Sequence, residues 1–472
     1  MAQTALLRLI GPLNLLASLT MGCHQAAPAP IKLVPAWSAQ GEEAGSSFGA
    51  RAMCAGDLNG RGYDSLIVGA PRWRASRGKA YVFQGSAQGL GAQAAWTATG
   101  DAANDQFGDR VGQAGDVNGD GYGDIFISSP TWKGGLGRCV AYYGSARGLG
   151  AKPDWSVQAA VKDGQFGDCT HPTGDLDGDG FDDLAVGAYG FDGSRGEILL
   201  YRGSAKGLGA APVWTARGEA PLDWYGYGIG AAGDVYGDGM GSLLAGAKYN
   251  DQGGHDAGKA YLYRGGRGGA LGGAAWAYWG RKAQANASLR VSTAGDVNGD
   301  GYADVLVTAP GAQGDLGELY VFHGGPQGLK ARPDETLLAP EPGLEFFGEG
   351  ACPAGDVDGD GYDDVAVSAR DAHGRGRVYV YRGGPQGLQA WPTWEIDGPG
   401  VGDRFGWWVA PAGDLDGDGL ADLVIGADST PSGSVYVVYG RQFKAALNAP
   451  ASPPHARRWT MEGYLPRKKA RR

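Results

Sequence analysis

Ala114-Gly-Asp-Val-Asn-Gly-Asp-Gly-Tyr-Gly-Asp124 decides the fold, because near copies of it recur along the whole chain. Aligned on the first aspartate, seven units are anchored at Asp57, Asp116, Asp175, Asp234, Asp296, Asp356 and Asp414, at intervals of 59, 59, 59, 62, 60 and 58 residues. A near-constant period of this kind marks a repeat array or ring rather than a set of unrelated domains. Each unit carries four β segments. The first opens on an aromatic-Gly pair (Phe107-Gly108, Phe166-Gly167, Phe405-Gly406) and runs to Ala-Gly-Asp. The second is a short apolar run such as Asp183-Leu-Ala-Val-Gly187, and the third alternates, as in Arg377-Val-Tyr-Val-Tyr-Arg382. A glycine-rich turn leads to the fourth, centred on Trp96, Trp155, Trp214, Trp276 or Trp394. Four antiparallel strands per repeat make a propeller blade, so the expected fold is all-β, a seven-bladed β-propeller. Its closure is legible too. A tryptophan segment, Ala36-Trp37-Ser38, precedes the first anchor, and none follows the last third segment at Val435–Tyr439. The N-terminal strand is expected to complete the last blade, which leaves the ring no open edge.

Composition agrees. The chain has 472 residues, 88 of them glycine, with 43% hydrophobic and 19% charged residues. That excludes an acidic disordered chain, and no apolar run is long enough for a membrane-spanning helix. Formal net charge is −10, yet residues 441–472 hold nine Lys/Arg and one acid, Glu462, so the body carries −18. An acidic body is a poor partner for nucleic acid and a good one for hard cations.

Five units place their acids in the pattern Asp-x-Asp/Asn-x-Asp-Gly-x-x-Asp. They are Asp116/Asn118/Asp120/Asp124, Asp175/Asp177/Asp179/Asp183, Asp296/Asn298/Asp300/Asp304, Asp356/Asp358/Asp360/Asp364 and Asp414/Asp416/Asp418/Asp422. Calcium takes six to eight oxygens, and alternate residues of a tight loop turn their side chains inward. The seventh residue (Tyr122, Phe181, Tyr302, Tyr362, Leu420) would add its backbone carbonyl. An EF-hand needs a glutamate at position twelve, where these loops have Ile127, Val186, Val307, Val367 and Ile425, so they belong to hairpins. Eighteen carboxylates in five small loops repel one another without a cation, and five Ca²⁺ would offset the formal −10. The first and fourth units depart, with Arg61 and Ser65, and Tyr236 and Ser242, in place of acids. Those two loops are expected to be metal-free, with Arg61 a candidate for an internal positive charge.

Phe-Gly, the acidic loop and Gly69-Ala70-Pro71 together resemble the FG-GAP repeats of the integrin α-subunit head over residues 37–440. Gly-Ala-Pro varies between copies, and the fifth unit reads Ala287-Ser-Leu-Arg where Phe-Gly stands elsewhere. The resemblance implies a seven-bladed propeller whose calcium loops stabilise one face while partners bind the other.

At the N-terminus, residues 1–22 combine one basic residue, a short apolar stretch and small residues before Cys23, the layout of an export signal. Its end resembles a bacterial lipoprotein signal, which would make Cys23 a lipidation site and 23–36 a tether. The expected location is extracytoplasmic, secreted or on the cell surface, with membrane contact only through that anchor. Residues 441–472 read as a basic disordered tail. Cys54, Cys139, Cys169 and Cys352 allow three disulfide pairings, with no zinc spacing among them.

Two enzyme-like motifs lose their force in context. Gly45-Ser-Ser-Phe-Gly49 fits a nucleophile elbow but belongs to the first strand of unit one. Gly228-Ile-Gly-Ala-Ala-Gly233 fits a dinucleotide fingerprint but is the fourth copy of the same strand. The six histidines show no metal or general-base spacing. The reading is a non-enzymatic, monomeric, calcium-stabilised protein-binding or adhesion module. A carbohydrate-binding propeller is the alternative, with a secreted hydrolase behind it. For the ligand face, the loops between second and third strands carry Trp73, Trp132, Phe191 and Tyr249 in units one to four, against Ala312, Ala372 and Thr430 in the rest. An exposed aromatic arc flanked by Arg72, Arg74 and Lys133 is the expected site for a protein or glycan ligand.

Overall fold

Short apolar runs bounded by glycine turns form seven sheets in the computed structural model, which describes residues 28–449 other than 270 and 345. Each blade has four antiparallel strands, consecutive in sequence in six of the seven; the second blade, for example, comprises Arg110–Gly115, Asp124–Ser129, Arg138–Tyr142 and Trp155–Gln158. Second strands such as Asp183–Ala188 and Asp422–Ala427 are buried along their whole length, because neighbouring blades cover both faces. Fourth strands such as Trp96–Thr99 alternate between partly buried and exposed, as outer edges do. The described residues form seven apolar clusters, each drawn from two consecutive blades. Phe107 and Phe166, from the aromatic-Gly pairs, are buried in such interfaces. The glycine that follows turns the chain at positive φ, +87° at Gly108. In the fifth unit Ser288 takes the same conformation, φ +71°, which keeps the blade intact without the motif.

Closure runs as expected. Trp37–Gln40 pairs antiparallel with Ser434–Val438 and completes the seventh blade. Both ends of the chain go further than the sequence suggested. Ile31–Leu33, assigned above to a tether, pairs parallel with Trp394–Asp397 as a fifth strand on the sixth blade. Residues 441–448, assigned to a disordered tail, belong to a helix, Gly440–Asn448. The helix forms because Phe443 is fully buried against Trp394, ring centroids 5.3 Å apart and 86° between planes. In other blades the fourth-strand tryptophan is capped by the next blade's glycine turn: the Trp96 Nε1–H donates to Gly150 O at 2.9 Å, and that of Trp155 to Gly209 O at 2.8 Å. After the seventh blade's third strand that turn is missing, and the helix fills its place. The export signal and Cys23 lie outside the described residues. Among those described, no helix is long and apolar enough to cross a membrane.

Candidate metal centres

Each acidic loop begins at a β-bulge, where a glycine at positive φ (+91° at Gly115) turns the chain out of the first strand. The first aspartate then shapes the loop from within. In the second unit, Asp116 Oδ1 accepts the N–H groups of Gly119 (2.7 Å) and Asp120 (3.1 Å), and Oδ2 accepts that of Gly121 (2.8 Å). Asp175, Asp296, Asp356 and Asp414 do the same in their loops. The ninth residue is a fully buried aspartate. Asp364 accepts the N–H of Val357 at 3.1 Å and that of Gly383 at 2.9 Å, tying the loop to the end of the third strand. Burial, against these hydrogen bonds, pushes Asp124, Asp183 and Asp422 up to about 7, Asp304 to about 6 and Asp364 to about 8.

The third residue supplies the test for a cation. Asp177 and Asp416 have both carboxylate oxygens, and Asp358 one, buried without a well-aligned hydrogen bond, one oxygen of each meeting an arginine. Such a group is costly unless a positive charge stands beside it. Around it Asp175, Asp177 and Asp179 cluster, as do Asp356, Asp358 and Asp360, and Asp414, Asp416 and Asp422, with ligand atoms within 4.8 Å of one another. An all-oxygen set of this kind suits a hard divalent ion. The seventh loop departs from the expected set: Asp418, anticipated as a ligand at position five, lies outside the cluster, and the buried Asp422 takes its place there.

These three loops also hold an arginine that sequence reading overlooked. Arg202 reaches Asp177 at 2.6 Å and Asp179 at 2.7 Å, Arg382 reaches Asp358 at 2.6 Å and Asp360 at 2.8 Å, and Arg441 pairs with Asp416. Its signal was a register, the residue following the third strand, where Arg202 and Arg382 coincide. The arginine also accounts for Asp418. Arg202 and Arg382 bridge positions three and five and draw the two carboxylates together. Among the described ion pairs Arg441, which comes from the helix, engages position three only, and Asp418 accepts the Leu420 N–H at 2.9 Å.

The second and fifth loops are built differently. Asn118 and Asn298 stand at position three and donate to Asp120 and Asp300 at 3.1 Å. Tyr143 and His323 replace the arginine. In the first and fourth loops the leading aspartate still folds the backbone, as in the 2.7 Å bonds from Gly62 to Asp57 and from Gly239 to Asp234. There, Arg264 binds Asp238 at 2.5 Å, whereas the exposed Arg61 reaches Asp57 only through its backbone N–H, at 3.1 Å. The charge anticipated from Arg61 is therefore not delivered by its side chain.

The loops are joined to one another. The residue at position eight donates its N–H to the carbonyl of the preceding blade's first aspartate in every unit, from Gly123 to Asp57 (3.0 Å) round to Asp64 to Asp414 (3.0 Å). Asp182, Asp363 and Asp64 add a second bond, accepting the N–H of Asp116, Asp296 and Asp414 at 2.7–2.9 Å. The side chain at position seven packs on the preceding loop's glycine. A Cβ on Gly119 would meet Phe181 at 2.6 Å, and one on Gly299 would meet Tyr362 at 2.7 Å.

On the opposite face the aromatic arc is not exposed. Trp73 is 7% and Trp132 9% exposed, and Phe191 and Tyr249 are half-buried. Each tryptophan opens a tight turn that continues at positive φ (+46° at Arg74, +51° at Lys133) and leaves its ring buried, where Ala312 and Ala372 are buried at the same place. Cationic side chains roof the rings: Arg74 lies 4.4 Å over Trp73, Lys133 4.1 Å over Trp132 and Arg217 4.9 Å over Phe191. The same face groups Asp251, His255 and Asp256, a juxtaposition the histidine spacing did not suggest. Ser47, the serine in the nucleophile position, lies in a loop that leads into the strand Arg51–Gly56 and not into a helix, and Gly228–Gly233 lies within the strand Tyr225–Gly233, so neither motif has its enzymatic context. The four described cysteines are separate buried thiols, and burial pushes Cys139 up to about 12 and Cys169 to about 11.

Comparison with known proteins agrees with this architecture. The FG-GAP repeat model matches residues 107–141, 172–201 and 290–322, and the FG-GAP-like repeat model matches 356–425. Integrin alpha-PS2 of Drosophila melanogaster is 33% identical over 246 residues, 49% of this chain and 17% of that protein. Integrin alpha-IIb of Homo sapiens is 36% identical over 158 residues (30% and 15%), and Integrin alpha pat-2 of Caenorhabditis briggsae 31% over 220 residues (42% and 17%). The matched part is thus about one sixth of each relative's length. With those models matching its second, third, fifth, sixth and seventh repeats, the chain is an integrin α-like FG-GAP propeller.

Proposed function

We propose that the protein is a calcium-stabilised, extracytoplasmic binding module whose acidic loops hold metal on one face while a protein ligand docks on the other. The observation that carries the metal is the cluster of three carboxylates in the third, sixth and seventh loops, ligand atoms within 4.8 Å of one another, which the single arginine at each loop does not neutralise. The leading aspartate, the residues at positions three, five and nine and the carbonyl at position seven would hold the ion, except that in the seventh loop Asp414, Asp416 and Asp422 would do so without Asp418. Its chemistry is structural: it neutralises carboxylates and fixes a hairpin that is bonded to its neighbours round the ring. The adhesion role rests on likeness to the integrin α relatives and is proposed for this face-to-face arrangement alone.

Calorimetric titration of chelator-treated, dialysed protein tests the metal. About five calcium ions should bind, and the melting temperature should rise with free calcium as binding to the native state requires. Two sites or fewer would defeat the assignment. Affinity capture from surface proteins, with and without calcium, tests the binding role, and a glycan array separates protein from carbohydrate as the ligand.

A further inference from the structure

The second residue after each aromatic-Gly pair begins the innermost strand near the face opposite the acidic loops. Around the ring this position holds Arg51, Arg110, Cys169, Gly228, Arg290, Gly350 and Trp408. Three arginines therefore gather at the mouth of the central channel. Their guanidinium carbons lie 4.6 Å (Arg51), 5.9 Å (Arg110) and 5.0 Å (Arg290) from the centre of the Trp408 ring. Arg290 comes from the fifth blade and Trp408 from the seventh; Gly350, without a side chain, stands at this position in the blade between them.

Among the described residues Arg110 pairs with Asp168 at 3.5 Å and also donates to its carbonyl, while Asp109 lies within electrostatic reach of Arg51 and Arg110, and Glu349 of Arg290. Arg51 donates one bond, to Ala50 O at 2.7 Å, while its Nε is buried with no acceptor. Among the described residues the Arg290 side chain has its ring contact and neither a hydrogen bond nor an ion pair within 4.0 Å, its backbone N–H donating to Thr308 Oγ1 at 3.0 Å. Burial and the neighbouring arginines hold Arg51 down at about 9, so the three charges feel one another. Three guanidinium groups about one indole outnumber the Asp109 and Asp168 carboxylates beside them, and the fork-shaped donors left over suit a planar or tetrahedral oxyanion.

We propose that Arg51, Arg110 and Arg290, stacked about Trp408, form an oxyanion site at the channel mouth, for a carboxylate or sulfate group. The group could be a free anion or an acidic side chain offered by a protein docked on this face. The site uses none of the acidic-loop residues, so it stands or falls apart from calcium.

Titration of the full, calcium-loaded chain with sodium sulfate, at ionic strength matched with chloride, tests it. Sulfate should bind at one site and raise the melting temperature. Arg51→Met and Arg290→Met should each weaken binding about tenfold or more, the loss of a charge-assisted hydrogen bond, while circular dichroism stays unchanged. Arg290→Lys, which keeps charge without the fork, should fall between and guards against misfolding of the methionine variant. A glutamate-containing peptide that competes with sulfate supports a protein carboxylate as the natural occupant; sulfate binding that the peptide leaves untouched supports the free anion. Sulfate acting no differently from chloride, or methionine variants that bind as the parent does, overturns the site.

Discussion

Single side chains separate the loops into classes that the acidic motif alone does not. Arg382 competes for the carboxylates that calcium would take, whereas the second loop has Tyr143 at that register. Arg382→Met should tighten calcium binding at the sixth loop by up to ~1 kcal/mol, the worth of a partly exposed ion pair, and leave the second loop unchanged. Site-resolved calorimetry or lanthanide luminescence would show it. On the other face, Trp132 fills a blade and bonds Asp101 through its indole N–H at 3.1 Å. Trp132→Ala should cost about 3–5 kcal/mol in a urea melt, as a core aromatic does. The carboxylate pattern was legible because chelation imposes spacing within one short loop. Arg382, the displacement of Asp418 from its cluster and the burial of Trp132 were not, since each depends on what strand pairing or helix docking brings near from elsewhere in the chain.

At the scale of strands and helices, the sequence reads well where a pattern repeats and poorly where it stops. Apolar runs and glycine bulges specify four strands per blade, even in the fifth unit, where Ser288 takes the glycine's conformation. Ile31–Leu33 and Gly440–Asn448 occur once each, and only the Trp394 pocket gives them a reason to form. Phe443→Ala should undock the helix and cost about 3–5 kcal/mol, read by thermal melting. Strand ends also carry the acid response. Burial pushes Glu219, Glu318 and Asp397 up, but hydrogen bonds from Lys259 to Glu219, from Tyr320, Gln313 and Lys282 to Glu318, and from Arg377 and Lys32 to Asp397 hold all three below their usual values. A depressed carboxylate stabilises the fold fully above its unfolded value, about 4, and the contribution fades as pH falls through the folded value. These three contributions should therefore be lost below about pH 4. The buried loop aspartates held up at about 6 to 8 should instead make metal-free protein gain stability as pH falls from about 8 towards 4. Glu318→Gln should flatten the acid limb of the melting curve against pH.

For the whole molecule, the chain closes a ring by lapping its ends, not by one strand alone. Trp37 pairs with Val437 and Gln40 with Ser434, so the outgoing N-terminal and C-terminal segments leave this pair at the same end. Pulled apart from there, an antiparallel pair peels one bond at a time instead of shearing all at once. The laps stand in the way. Ile31–Leu33 is fastened to the sixth blade, and the helix returns over it, with the Gln442 side-chain amide donating to Val34 O at 2.8 Å. A load on either end must first strip a fastening on the sixth blade before it reaches the seam. A chain cut before Gly440 keeps the Ile31–Leu33 fastening and loses that of the helix, so it should yield at lower force than the intact chain in single-molecule pulling. The two short appendages act as a latch, and they make a ring without covalent closure fit to bear tension.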